Sequence, residues 1–472
     1  MKSRFTISVA LLCGLTLAPA FGQWSSDPSK NLPLADKIGD DQVQPKIKAL
    51  KGNGWWVSWF DADPNTPPPV GYDPHLQKLN VSGVEQFSHN GVLIADLGNS
   101  STQDWGLDAD TLDHALLTFL DTRAGSNQQI TAVKYGVING LLWGPRGVLL
   151  THDQSFHAAP KIAGTDDGNV VVAWTSDSDV VLQKLGPNGQ PSWGAGVVLS
   201  EAGYNYSVAD LHATVSDSGS VIISYVRDKG FGSNRELHAN KLSSTGDLLW
   251  GPSGITLFDN GSLQFGNWPN FVTDGNGGAV FAWYESSPTL QVFAQRIRED
   301  GSEAFQHNGV AVSLATPNIR VSPSVSFRKD TGETFVFWTE EDSLQSKNGV
   351  SGQKLGPAGT RLWGNNGLTI VPLGSDSQIF VTSVPIGGGA LVFWVDQASF
   401  TSSTIYATRL NGQGATVCPK FPVSTAAVAP FGLVADIAPN STAALAWSDS
   451  RIGNNGIYIQ NINKDCSLGV RQ

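Results

Sequence analysis

The chain has 472 residues, a formal net charge of −11, 52 Gly and 25 Pro, with charged residues making up only 15%. An acidic chain with no basic stripe has little to neutralise phosphates, which excludes nucleic acid and anionic membrane surfaces as partners. The Gly and Pro content suits a turn-dense all-β protein, and nothing beyond the first 22 residues approaches the roughly 20 apolar residues of a spanning helix.

At the N-terminus, Lys2 and Arg4, an apolar run from Ile7 to Leu17 and the small-residue stretch Ala18-Pro19-Ala20 form the pattern of a secretory signal peptide. Residues 1–22 are therefore read as a leader, and the protein as secreted or periplasmic. Cys13 follows Leu12, which is too large for the usual lipoprotein processing site. Cys418 and Cys466 then remain as one pair in an oxidising compartment, and a disulfide between them is expected.

Beyond the leader the chain repeats, with Asp40 to Lys46 leading into the first strand. Aromatic residues at Trp59, Phe119, Trp174, Tyr225, Trp283, Trp338, Trp394 and Trp447 lie 51 to 60 residues apart, the period of a β-propeller blade. Six are followed two positions later by an acid: Asp61, Asp121, Glu285, Glu340, Asp396 and Asp449. A Gln or its substitute falls on a later strand (Gln77, Val133, Gln183, Asn240, Gln295, Gln353, Thr408, Gln460). An aromatic with a glycine three or four residues on follows that, as in Trp143/Gly147, Trp193/Gly196 and Trp363/Gly367.

The third repeat parses most clearly, with strands expected at Pro160 to Ala163, Asn169 to Thr175, Val180 to Leu185 and Gly196 to Ser200. Second strands such as Val170 to Trp174 are continuous apolar runs, as strands sandwiched between neighbouring blades must be. The expected fold is an all-β, eight-bladed β-propeller of four-stranded antiparallel blades, forming one domain over residues 23–472. The last repeat lacks an outer strand, and Trp24 with Asn31 to Ala35 resembles the missing piece, so the N-terminal strand is expected to complete the last blade and close the ring.

Repeated residues brace a repeated fold, so the six acids read first as structural acceptors and second as a cation or polyhydroxyl site at the channel mouth. Singular residues are the better functional candidates. Arg227 and Asp228 stand where the fourth repeat should have its acid, and Ser176 where the third should. The loop into the third repeat carries His152, Asp153 and His157, the next carries Tyr204 and Tyr206, and the one after carries Phe265 and Trp268. A catalytic reading takes His157, Tyr204 and Arg227 as acid/base and substrate-binding groups, with Arg227 or Arg123 holding a carboxylate. A binding reading takes Asp121, Arg123, His152, Asp153, Tyr206, Asp228 and Trp268 as ligand contacts, the aromatic residues stacking on sugar rings. The first alternative to both is that these aromatic residues simply pack long loops onto the propeller. No metal site is expected; Asp108, Asp110 and Asp113 have the carboxylate density for Ca²⁺ but not the EF-hand spacing. Cofactors are otherwise expected to be none. Pro64 to Pro69 reads as a stiff contact loop.

Segments such as Thr273-Asp274-Gly275-Asn276-Gly277-Gly278-Ala279-Val280-Phe281-Ala282-Trp283 resemble repeats of secreted bacterial β-propeller proteins, mostly uncharacterised. The resemblance implies fold and export, not activity. The S-x-D-x-G-x-x-W order of sialidase-like propellers is missing, as is the tryptophan-docking signature of quinone-dependent dehydrogenases. The reading that results is a secreted ligand-binding or interaction propeller, with carbohydrate the favoured ligand and a glycan or a protein as partner. Its alternatives are a polysaccharide lyase or glycosidase using the irregular loops of blades 2–5, and a structural or envelope-assembly scaffold.

Overall fold

The computed structural model describes residues 23–63, 71–97, 105–123, 125, 127–214, 218–286, 290–399 and 401–470. The leader and the Pro64 to Pro69 stretch lie outside the described residues. The strands form eight antiparallel sheets, the blades of a propeller. Blade 1 runs from Gln42–Ala49 to Val92–Leu93, blade 2 from Gly106–Ala109 to Val148–Leu149 and blade 3 from His157–Gly164 to Val197–Leu199. Blade 4 runs from Asn205–Ala213 to Ile255–Phe258, blade 5 from Phe271–Thr273 to Val310–Ala311, blade 6 from Ile319–Arg328 to Leu368–Gly374 and blade 7 from Ser377–Ile386 to Thr416–Ser424. Each has four strands in sequence order from the channel outward, except that blade 2 carries an extra two-residue strand, Gly140–Leu141, on its third strand.

Blade 8 is the exception that closes the ring. Its inner three strands are Phe431–Ile437, Ala443–Asp449 and Gly456–Ile462, and its outer strand is the N-terminal Leu32–Ala35, in the register Leu32↔Ile459 and Ala35↔Ile457. The spacing after Trp24 is longer than in other repeats, and the surplus is taken up by a turn in which Asp27 accepts the Ser29 amide.

Apolar side chains fall into eight clusters, one at each blade interface. Second strands supply most of each cluster; Ala115–Asp121 and Ala443–Asp449 are buried at every position. A strand packed on both faces cannot alternate polar and apolar residues, which is why these runs are continuously apolar.

Innermost strands carry a bulge at equivalent positions in blades 1, 3, 4, 6, 7 and 8. There Gln44, Ala159, Ser322 and Phe380 adopt left-handed φ of 49–54°, uncommon for residues with a Cβ. Pro45, Pro160 and Pro323 follow three of them. A proline lacks the N–H that a bulge leaves unpaired, so it fits where the strand bends around the channel.

The glutamine and aromatic landmarks form one device. Gln183 Oε1 accepts the amide of Trp193 while its Nε2 donates to Gly194 O, and Gln353 does the same to Trp363 and Gly364. The indole reaches the next blade: Trp193 Nε1 donates to Ser244 O and Trp250 to Glu299 O, as does Trp143 to Pro187 O although its blade has Val133 in place of the glutamine. At the closure Trp24 takes this part, donating to Val81 O at 2.9 Å, while Gln460 Nε2 donates to Ser25 O. Gly83, at φ +79°, lies under the Trp24 ring, and a Cβ there would fall 2.6 Å from a ring carbon.

Cys418 and Cys466 form the expected disulfide, tying the outer strand of blade 7 to the turn after the third strand of blade 8. Closing a loop across 48 positions stabilises the fold by about 4 kcal/mol in the chain-entropy description. Among the described residues no helix is long and apolar enough to cross a membrane.

Candidate functional site

The loops between second and third strands and those between blades share one face, here called the upper face, and the six repeated acids stand on it. Five are held by a cation: Asp61 by Lys37 (2.7 Å), Asp121 by Arg123 (2.7 Å), Glu340 by Arg320 (3.3 Å), Asp396 by Lys420 (2.8 Å) and Asp449 by Arg451 (2.5 Å). Glu340 and Asp449 also accept the indole N–H of Trp338 and Trp447. Glu285 has no cationic partner among the described residues; it is 7% exposed, and desolvation pushes its carboxyl up to about 7.

The residues singled out in the loops of blades 2–5 separate into two groups. In the first, Asp121 is buried against Arg123 and Thr131, and Arg123 also donates to Arg146 O. His157 is 2% exposed, its Nε2 3.0 Å from the carboxylate of exposed Asp153, while Nδ1 is buried without a partner. His152 is exposed. Tyr206 is buried and stacked on Tyr225 at 5.1 Å, with Glu201 accepting its hydroxyl. Arg227 is bonded to Glu201 and Glu236, both at 2.7 Å, and lies 4.3 Å above the Tyr204 ring. His157 and Arg227 are thus engaged by different carboxylates, and none of His157, Tyr204 and Arg227 lines either concavity described below.

The second group, Asp228 and Trp268, borders real openings. A channel of about 920 Å³ runs along the propeller axis, lined by innermost strands. Around blades 8 to 4 its wall carries Asp436, Lys48, Asp108, Lys161 and Asp210 in alternating sign. Lys48 pairs with Asp108 at 2.6 Å, and the acids stitch blades together: Asp436 accepts the Ala49 amide, Asp108 that of Gly164 and Asp210 that of Phe271. Burial opposes a charged His212, but the Asp210 carboxylate 2.9 Å away outweighs it and holds the imidazole above its ordinary pKa. Asp110 caps a turn through the Leu112 and His114 amides, and Asp113 accepts those of Lys51 and Gly52, so the three aspartates face different partners. Among the described residues no group of three or more His, Cys, Asp or Glu is arranged to hold a metal ion.

Beside the channel mouth, between blades 4 and 5, a second concavity of about 570 Å³ opens on the upper face. Its walls include Asn205, Asp228, Phe231, Arg235, Phe265 and Ser286. The loop after Asp228 is stiffened from within: Gly230 N donates to Asp228 Oδ1, and Lys229 N to Ser233 Oγ. Gly230 and Gly232, at φ +101° and +83°, turn the chain so that Phe231 projects fully into solvent. Arg235 N donates to Ser262 Oγ and Leu263 N to Arg235 O, which join this loop to the one entering blade 5. There Phe265 and Trp268 are 78% and 43% exposed, unusual for large apolar side chains with a core available. The Arg235 guanidinium lies 5.8 Å from the Phe265 ring and 5.0 Å from the Trp268 ring, and Trp268 lines the channel.

Sequence reasoning singled out Trp268, Asp228 and Phe265 but passed over Phe231 and Arg235. The signal was present: a phenylalanine between two glycines, in a second-to-third-strand loop that extends well beyond the Asp177-Ser178 turn of blade 3.

No family model matches the chain, and no curated protein matches it. Solved structures resemble it at low identity. A protein of unknown function from Dyadobacter fermentans is 12% identical over 94% of this chain and 99% of its own, with a TM-score of 0.38. The β-propeller domain of the trilobed protease from Pyrococcus furiosus is 5% identical over 81% and 96%, with a TM-score of 0.42. A GH93 α-L-arabinofuranosidase from Fusarium graminearum is 12% identical over 64% and 92%, with a TM-score of 0.36.

Proposed function

We propose that the protein is an exported ligand-binding propeller, freed of residues 1–22, that seats a glycan in the upper-face concavity between blades 4 and 5. The observation that carries this reading is a set of solvent-facing rings, Phe231 and Phe265 in the wall of a pocket that also presents Asn205, Asp228 and Ser286, and Trp268 on the adjoining channel wall across Arg235. Flat apolar faces stack on the C–H faces of sugar rings, while carboxylate, amide and hydroxyl groups meet their hydroxyls. A fixed loop conformation lowers the ordering cost of binding.

A thermal-shift screen of residues 23–472 against oligosaccharides and polysaccharides tests it, because a ligand that binds only the folded state raises the midpoint. A glycan-dependent rise in the parent protein that Trp268→Ala and Phe265→Ala abolish is the expected result. No rise across a broad panel would reject the reading.

One observation favours hydrolysis as a second reading. Glu285 precedes the pocket-lining Ser286 and keeps its proton up to about pH 7 because it is desolvated, as a general acid needs. Asp228 would be the second carboxylate. Release of reducing ends that Glu285→Gln stops would support hydrolysis; bound glycan recovered intact would leave the binding reading alone.

A further inference from the structure

Among the described residues, four buried cations are paired with carboxylates. Lys134 meets Asp110 at 2.7 Å, Lys184 meets Asp167 at 2.7 Å, Lys354 meets Glu333 at 2.8 Å and Arg320 meets Glu340 at 3.3 Å. Arg235 departs from this pattern. It is 8% exposed, yet its guanidinium donates only to the backbone carbonyls of Gln264 and Asn267, and among the described residues no carboxylate lies within ion-pair distance. Burying a cation without a counter-charge is costly, and the two carbonyls and two ring faces compensate only in part. Arg235 borders the concavity together with Asp228, whose carboxylate acts on it from beyond ion-pair distance, so an anionic group in the ligand space would supply the close pairing it lacks. Nearby Asn267 Nδ2 is a second buried donor without a partner.

We infer that Arg235 is a receptor for a carboxylate or sulfate group of the ligand, so that the glycan taken by this pocket is an acidic one such as a uronate. The inference rests on the glycan-binding reading above and narrows it. Arg227 and Arg123, the other arginines of these loops, are occupied by Glu201, Glu236 and Asp121, whereas Arg235 lies against the Phe265 and Trp268 rings with only the Asp228 carboxylate, beyond ion-pair distance, to offset its charge. A planar guanidinium held between two aromatic rings offers a carboxylate fixed, directional donors.

The test is calorimetric titration of residues 23–472 with oligogalacturonate and with its methyl ester, which has the same rings without the charge, alongside neutral xylan and dextran oligomers. The acid is expected to bind at least about tenfold tighter than the ester, a preference that falls with added salt. Arg235→Gln should remove the preference for the acid over the ester, and Arg235→Lys should retain part of it. Equal affinity for acid and ester in the parent protein, or a preference that survives Arg235→Gln, would overturn the inference and leave glycan binding standing. Silence toward every glycan would overturn the reading beneath it. The parent acid-against-ester comparison decides the matter even if a variant fails to fold.

Discussion

The lower rim of the propeller and the upper face between blades 4 and 5 use the same residue types to opposite ends. On the lower rim, Trp24, Trp143, Trp193, Trp250 and Trp363 each donate an indole hydrogen to a carbonyl of the next blade, and beside all but Trp143, whose blade has Val133 instead, a glutamine or asparagine on the third strand fixes the backbone. At the mouth of blades 4 and 5, Phe231, Phe265 and Trp268 have no such neighbour and face solvent. Aromatic residues that recur with the repeat hold blades together, whereas these three, which occur once, stay exposed. The acids divide the same way, five neutralised by cations and Glu285 left alone.

The comparison breaks first at the seam. Trp24→Ala should cost about 3–5 kcal/mol, the range for a buried tryptophan, because it opens the only blade built from both ends of the chain. Thermal unfolding would register it as a lowered midpoint, and proteolysis of the N-terminal strand as faster cleavage. An unchanged midpoint would mean that the 32–35 strand closes the ring unaided.

Gln353→Ala tests the clamp within a regular blade. Its side chain is fully buried and bonded to both Trp363 N and Gly364 O, so its removal leaves these groups unsatisfied at about 1–3 kcal/mol. Urea unfolding measures this, and an effect as small as a surface substitution would deny the clamp its role.

Glu285→Gln sharpens the contrast among the acids. A carboxyl raised from its ordinary 4.5 to about 7 in the folded state favours folding below pH 4.5 and loses that contribution as pH rises through 7. The amide should therefore stabilise the protein at pH 8, on the order of 1 kcal/mol after solvent screening, and leave it unchanged near pH 4. A midpoint difference of the same size at both pH values would refute the assignment.

The smallest effect belongs to the exposed rings. Phe231→Ser and Phe265→Ser should change stability by no more than about 0.5 kcal/mol yet remove the glycan-dependent thermal shift. Loss of stability comparable to Trp24→Ala would show that they pack as the lower-rim aromatic residues do.

Much of the fold was legible because a propeller is quasi-periodic: the aromatic spacing gave the blade count, and the apolar second strands gave burial on both faces. Even the seam could be read, since Trp24 repeats the landmark that blade 8 lacks. The site was harder. Tyr206 and Trp268 look equivalent as loop aromatic residues, but Tyr206 pairs with Arg227 in a strand and stacks inward on Tyr225, whereas Trp268 precedes the innermost strand of blade 5 and stays outside. His157 stood out for its neighbour His152, but it opens a strand opposite Ser176 and is buried there.

Local sequence therefore determined what depends on the chain's own period: strand order, blade number, the closing strand and the Cys418–Cys466 pair. Tertiary structure alone decided which charges find partners. Arg123, Arg227 and Arg235 are indistinguishable as letters, and only the approach of Asp121, Glu201 and Glu236 neutralises the first two. Pairing is set by distances across blades that no repeat period encodes, and Arg235, with no carboxylate at ion-pair distance among the described residues, is where the fold departs from its own symmetry.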